Sequence, residues 1–281
     1  MNELSATRIA SAVRAAVLEA ATTLRADVFA ALEEAARRER SERGRAVLGQ
    51  LIENARIAQS ERVPVCQDTG TVWVHVAVGL EMCVQGDLHA EVDRAVAEAY
   101  REGGLRMSVV RDALLDRTNT GDNTPAFLDV SQRAGTGATV SVMLKGGGSD
   151  NASRVAMLAP AEGWDGVRRF VLETVAATAT GACPPLVIGV GVGSTFDSVA
   201  RLAKKALLRP LDHATEDRRV AELEAELLAA INATGIGPAG LGGDTTALGV
   251  RLLTAPCHIA ALPVAVNVGC NALRSATAEV S

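Results

Sequence analysis

Thr71-Val72-Trp73-Val74-His75-Val76-Ala77-Val78 is the stretch on which the fold class turns. Branched apolar side chains fill every second position, the two-residue period of a half-buried strand. The sequence before it follows a different period. From Ala6 to about Ser60 apolar residues recur every three or four positions (Val13, Val17, Ala21, Leu24) among Arg and Glu. That is the stripe of amphipathic helices, and the charged cluster from Arg37 to Arg45 marks a solvated face or a turn. Beyond the strand the two textures alternate. Helix is expected over Glu91–Arg101, strands over Phe127–Val130 and Ala138–Leu144 around a turn, and helix over Asp165–Thr180. A buried strand at Leu186–Val192 follows, then helices over Ser198–Leu208 and Glu216–Ala233, then short strands at Leu248–Leu253 and Pro263–Val268. The expected fold is therefore mixed α and β: a helical N-terminal segment (1–60) packed on a compact domain of short sheets surrounded by helices. With no internal repeat, low-complexity tract or Pro/Ser-rich linker, residues 1–281 read as a single domain.

Composition narrows the class. The chain is 48% hydrophobic and 22% charged with a formal net charge of −5, enough to bury a sizeable core. It has no basic block, which argues against nucleic acid or an anionic membrane as a partner. No stretch approaches the roughly 18 uninterrupted apolar residues of a membrane span. Met1 to Ser11 lacks the basic, apolar and small-residue order of a secretory signal, so a cytoplasmic location is expected. Aromatics make up only 2%, leaving Ala, Val, Leu and Ile to build the core. Five cysteines in such a compartment argue against a disulfide framework and for metal-binding, catalytic or simply buried thiols.

Glycines gather at Gly146–Gly148, Gly189–Gly193 and Gly235–Gly243, either as tight turns or as backbone brought close to a ligand. None has the spacing or following Lys of a P-loop, and Gly189-Val190-Gly191-Val192-Gly193 is too short for a dinucleotide fingerprint. Cys66, Cys183 and Cys270 each stand beside Pro or Gly at the end of an expected element. They are far apart with no CxxC pair, and a lone Cys is more often a small buried hydrophobe than a ligand. Cys83 and Cys257 read as structural.

Five ordered motifs sharpen this picture. They are Cys66-Gln67-Asp68-Thr69-Gly70, Asn119-Thr120-Gly121-Asp122-Asn123-Thr124-Pro125-Ala126, Lys145-Gly146-Gly147-Gly148-Ser149, Ala182-Cys183-Pro184-Pro185, and Leu262-Pro263-Val264-Ala265-Val266-Asn267 with Cys270. In that order they resemble the class I fumarate hydratases and L(+)-tartrate dehydratases, over nearly the whole chain, at the α subunit or N-terminal half of the single-chain enzymes. The resemblance implies a [4Fe–4S] cluster with three cysteine ligands, matching Cys66, Cys183 and Cys270. Electron-transfer clusters usually have four thiolates, so three leave one open iron as a Lewis acid for the substrate hydroxyl.

The same resemblance implies the remaining roles. Asp68, two residues from Cys66, belongs to the acid–base apparatus that moves the C3 proton, unless it only caps a turn. His258 stands at the offset before Cys270 at which the family carries an active-site histidine; His75, His89 and His213 have no such support. Gln67 and Thr69 are candidates to hydrogen-bond the substrate. A dianionic substrate needs fixed cations, best supplied by bidentate arginine. Arg106, in Leu105-Arg106-Met107-Ser108, matches a family substrate arginine. Lys145 precedes the triple glycine, whose Gly147 and Gly148 N–H groups are candidates to cradle a carboxylate. Arg154 and Arg274 rank behind these because most arginines are solvated surface. Ser275 stands where many relatives carry a second Arg.

The activity implied is reversible hydration of a C4 dicarboxylate, fumarate plus water to (S)-malate first, with a tricarboxylic acid cycle role. The loops Asn119–Ala126 and Gly146–Asp150 look more like those of the fumarate enzymes; the alternative is an L(+)-tartrate dehydratase α subunit. The family completes its site from a β subunit or C-terminal domain, so a β partner in a heterodimer or heterotetramer is expected. From other classes, a structural zinc with His258 as fourth ligand, or a redox sensor, stays open.

Overall fold

The structure, a computed structural model, describes residues 2–281. In chain order its strands and helices are β1 (Asn2–Ser5), α1 (Ala6–Thr22), α2 (Ala26–Arg38), α3 (Glu42–Glu61), β2 (Thr71–Gly79), β3 (Met82–Gln85) and α4 (Leu88–Glu102). There follow β4 (Phe127–Arg133), β5 (Ala138–Lys145), α5 (Gly147–Asn151), β6 (Arg154–Leu158), α6 (Gly163–Thr178) and β7 (Leu186–Val192). The last are α7 (Phe196–Ala206), α8 (Arg218–Asn232), β8 (Ala247–Thr254), β9 (Leu262–Gly269) and β10 (Arg274–Val280). The fold is mixed α and β, as expected. The charged cluster is where α2 ends and α3 begins.

The chain forms two compact units: one from residues up to Arg25, Ala55–Gly147 and Leu273–Ser281, the other from Ala26–Asn54 and Gly148–Ala272. The helical segment 1–60 is thus shared between them. In the first unit a four-stranded sheet runs β10-β5-β2-β4. Val72, Val74, Val76 and Val78 of β2 join Val140, Val142 and Leu144 of β5 in a core closed by Ile9, Val13 and Val17 of α1 and by Val92, Val96 and Tyr100 of α4. Each such fully buried side chain contributes roughly 1.5–3 kcal/mol. Both helices start on side-chain caps: Ser5 Oγ accepts from Thr7 N–H and Asp87 Oδ1 from Ala90 N–H, each at 3.1 Å. The strands expected around a turn do form, but they do not pair with each other. β2 lies between them, parallel to β4 (Trp73 opposite Phe127) and antiparallel to β5 (Val74 opposite Val142). α4 supplies the crossover that a parallel pair requires.

The second unit holds a sheet of order β6-β9-β7-β8. β7 is apolar throughout and buried, the mark of a strand covered on both faces. Its glycines serve packing. A Cβ on Gly189 would lie 2.2 Å from the Ala203 carbonyl oxygen and one on Gly191 2.7 Å from Ala203 N, so α7 rests directly on the strand backbone. The other face meets Val167, Val171 and Val175 of α6 and Leu227 and Ile231 of α8.

The two sheets share one connectivity. In each, a central strand (β2 or β7) leads through helix to a parallel neighbour (β4 or β8). The next strand (β5 or β9) returns antiparallel on the other side. The fourth strands are exchanged: β6 follows β5 in sequence but pairs with β9, and β10 follows β9 but pairs with β5. No repeat in the sequence announces this match. Among the described residues no helix is long and apolar enough to cross a membrane.

Candidate active site

In the first unit the loop entering β2 meets the turn leaving β5. Asp68 joins them: Oδ1 accepts the Gly70 N–H at 3.1 Å and Oδ2 accepts the Gly147 N–H at 2.8 Å. The triple glycine was expected to cradle a carboxylate of the substrate. In this chain the Gly147 N–H is taken by a carboxylate of the protein, and Gly148 lies within the short helix α5 that begins at Gly147. Thr69 is buried and its hydroxyl donates to the Arg106 carbonyl at 2.6 Å, so it fastens the loop to the 106–126 segment. Gln67 is exposed and its Oε1 accepts from the Cys66 thiol at 3.3 Å.

Beneath this loop lie two residues whose roles the motifs did not foretell. Tyr100 donates its hydroxyl to the carbonyls of Thr69 and Gly70, each at 3.0 Å. Burial pushes its phenol up to about 12, which keeps it a neutral donor. Asn123, fully buried, accepts the Ser108 N–H at 2.7 Å and donates to the Gly70 carbonyl at 3.1 Å, tying the second motif to the first. The chain has one tyrosine, placed on the apolar face of α4; that placement was the available signal.

The cations divide sharply. Arg106 is exposed and Lys145 buried. Arg154 is exposed and donates to the carbonyls of Asn151 and Ser153 at 2.6 and 2.7 Å. Arg274, ranked with surface arginines, is only 1% exposed. Among the described residues no acceptor reaches its Nε or Nη1.

In the second unit the loop entering β7 meets the turn leaving β9. Cys183 adopts a left-handed backbone (φ 54°), and its carbonyl accepts from Asn271 N–H at 3.2 Å and Asn271 Nδ2 at 2.7 Å. This binds Cys183 to the residue after Cys270. His258 lies on the exposed loop between β8 and β9. Its Nδ1 accepts the Ala260 N–H at 3.1 Å, which leaves the proton on Nε2. None of the five cysteines is in a disulfide; Cys183 and Cys257 are exposed, and Cys66, Cys83 and Cys270 are part-exposed. Accessible thiols in loops fit ligation of iron better than the role of core filler. Among the described residues no group of three or more His, Cys, Asp or Glu is gathered to hold a single metal ion. A cluster asks something different, because each thiolate binds its own iron.

Comparison with known proteins defines the class. Residues 10–279 match the family model described as fumarate hydratase (Fumerase). The chain is a hydro-lyase, and it belongs to the Fumerase family. A Methanocaldococcus jannaschii protein provisionally named L(+)-tartrate dehydratase subunit alpha is 41% identical, covering 93% of this chain and 94% of its own. L(+)-tartrate dehydratase subunit alpha of Escherichia coli strain UTI89 is 35% identical over 90% of this chain and 84% of its own; that of strain K12 is 34% identical.

Proposed function

We propose that this chain is the α subunit of an iron–sulfur L(+)-tartrate dehydratase, with fumarate/malate the second substrate pair. The observation that carries the chemistry is Asp68, held by two N–H groups two residues after Cys66. The order of substrates rests on the names of the relatives, and it reverses the expectation drawn from the loops. Dehydration of tartrate removes the proton from one hydroxylated carbon and the hydroxyl from its neighbour. The enol so formed tautomerises to oxaloacetate, and one water leaves.

A [4Fe–4S] cluster held by Cys66, Cys183 and Cys270 would supply Lewis-acid assistance to the departing hydroxyl. This chain's own residues do the rest. Asp68 orients or moves the proton at the carbon next to the leaving group, aimed by the Gly70 and Gly147 amides. Gln67 and the exposed Arg106 bind oxygens of the dicarboxylate, and Lys145 adds positive charge near them. His258 presents an Nε2–H donor. Thr69 acts through the loop it fastens. The relatives are named alpha subunits, and a β subunit in a heterodimer or heterotetramer completes the site. We assign residues 1–281 to one functional α-subunit domain, in the cytoplasm.

Anaerobic co-purification with the β partner, iron and sulfide analysis, and assays on L(+)-tartrate, (S)-malate and fumarate test this. Brown protein with about four irons per chain and a clear preference for tartrate is expected. A preference for malate would restore the fumarate reading. Iron-free protein that still dehydrates either acid would sink the cluster.

A further inference from the structure

Arg274 opens β10, opposite Leu144 of β5, and its side chain is 99% out of solvent. No carboxylate pairs with it among the described residues, and its Nε and Nη1 find no acceptor. A guanidinium stripped of water and left unpaired is costly, so a chain that keeps one needs its charge. The place where that charge acts is marked by Gly146. A Cβ on Gly146 would lie 3.6 Å from Arg274 Nη2 and 3.2 Å from Asp68 Oδ2. Cation and carboxylate therefore flank one point of the turn, kept open by a residue without a side chain. Tyr100 supplies no anion, since its hydroxyl is spent on two carbonyls. Arg274 is buried, so its charge is little screened by water toward the groups beside the turn.

We propose that Arg274 is a positioning residue: from beneath the Gly146–Gly147 turn its guanidinium holds the Asp68 carboxylate in its two-amide clasp, and so aims it at the substrate. At 1% exposure Arg274 meets no substrate directly, so it acts through Asp68. The catalytic part of the proposal rests on the dehydratase reading above. The positional part does not.

The test uses the α/β holoenzyme with Arg274→Met and Arg274→Lys. For R274M, kcat falls about a hundredfold, the scale of a displaced acid–base group, while KM stays within about threefold. R274K, which keeps the charge, recovers to within about tenfold of the parent enzyme. In the same preparations the Gly147 amide exchanges at least about tenfold faster in R274M, with amides of β2 and β5 unchanged. A KM rise with kcat intact would make Arg274 a substrate ligand and overturn the proposal. So would unaltered Gly147 exchange in R274M, or equal loss of iron and Tm in both variants. If the parent enzyme dehydrates none of the three acids, the functional reading has failed, and Gly147 exchange still decides the role of Arg274.

Discussion

The two units solve the same connection problem with different chemistry. In each, a loop enters the central strand and must be fastened to the turn that leaves the antiparallel neighbour. The first unit uses a carboxylate, Asp68 on the Gly147 amide at 2.8 Å, with a buried unpaired arginine behind the turn. The second uses a neutral pair, Asn271 on the Cys183 carbonyl at 2.7 Å. Asn271 is the residue after a candidate ligand, and the carbonyl it binds belongs to another. A neutral tie suffices where the loop only presents a thiol. A charged one, with a buried counter-charge to maintain, is out of proportion to fastening alone. Under the proposed function, the charged tie goes with the proton-handling Asp68 and the neutral tie with two of the three thiols, while Cys66 stays in the first unit and His258 in the second.

Replacing Asp68 is the hardest blow to that division. Asp68→Asn keeps the size and one acceptor, so the fold and iron content should survive while kcat drops by about 10²–10⁴. Steady-state rates of D68N within threefold of the parent enzyme would reduce Asp68 to a tie like its counterpart. Next in size, Asn271→Ala should split the other way. Anaerobic kcat stays within about tenfold, thermal stability falls by about 1 kcal/mol for the lost hydrogen bond, and iron is lost faster in air. The decay of visible absorbance on exposure to oxygen measures it. Unchanged iron retention would mean the neutral tie does not serve the ligands.

A smaller effect probes the close approach inside the second unit. A Cβ on Gly148 would lie 2.7 Å from the Gly181 carbonyl oxygen, whereas one on Gly181 meets nothing within 4 Å. Gly148→Ala should therefore cost about 1–3 kcal/mol of stability by overpacking, and Gly181→Ala about 0.5 kcal/mol or less. Thermal melts of the two variants check this. Equal Tm shifts would show that the turn yields freely.

How much of this could be read beforehand follows from which forces are local. The periodicities of Ala6–Ser60, Thr71–Val78 and Leu186–Val192 report burial directly, and those elements stand where expected. The pairing of β4 and β5 could not be read, since a strand's parallel partner is set by a crossover rather than by the adjoining turn. β1, β3, β6 and β10 are short or carry small and polar residues, so their period is faint. The shared connectivity of the two sheets lies in strand direction, which side chains do not encode. At the site, the motifs located the loops but not their internal bonds. Thr69 and Gly147, expected as substrate contacts, are hydrogen-bonded to Arg106 and Asp68 of the chain itself. Arg274 was ranked by the usual fate of arginines, and nothing in Leu273-Arg274-Ser275 signals burial. Tyr100 and Asn123 act through backbone carbonyls distant in sequence, a kind of contact that no motif announces.

The least effect concerns the charged tie the second unit does possess, at the junction of α2 and the loop before β8. Arg40 binds Asp244 with Nη2 to Oδ1 at 2.7 Å and Nε to Oδ2 at 2.9 Å, while the buried Glu39 accepts the Asp244 and Thr245 amides. The Arg40 side-chain hydrogen bonds, then its backbone N–H, hold the Asp244 carboxyl down at about 2 from an ordinary 3.8. The folded state thus binds this proton less readily than the unfolded chain. Its stabilisation is complete above the ordinary value and drains away as the pH falls toward 2. Arg40→Ala removes the larger cause and keeps the backbone N–H, so the Tm gap between R40A and the parent should be constant at neutral pH and close between about pH 4 and 2. The pair is exposed, so the gap should be small. The Asn271→Ala gap contains no titrating partner and should stay flat over that range. If both gaps closed together, acid would be loosening the unit as a whole, and the contrast between charged and neutral ties would lose its physical basis.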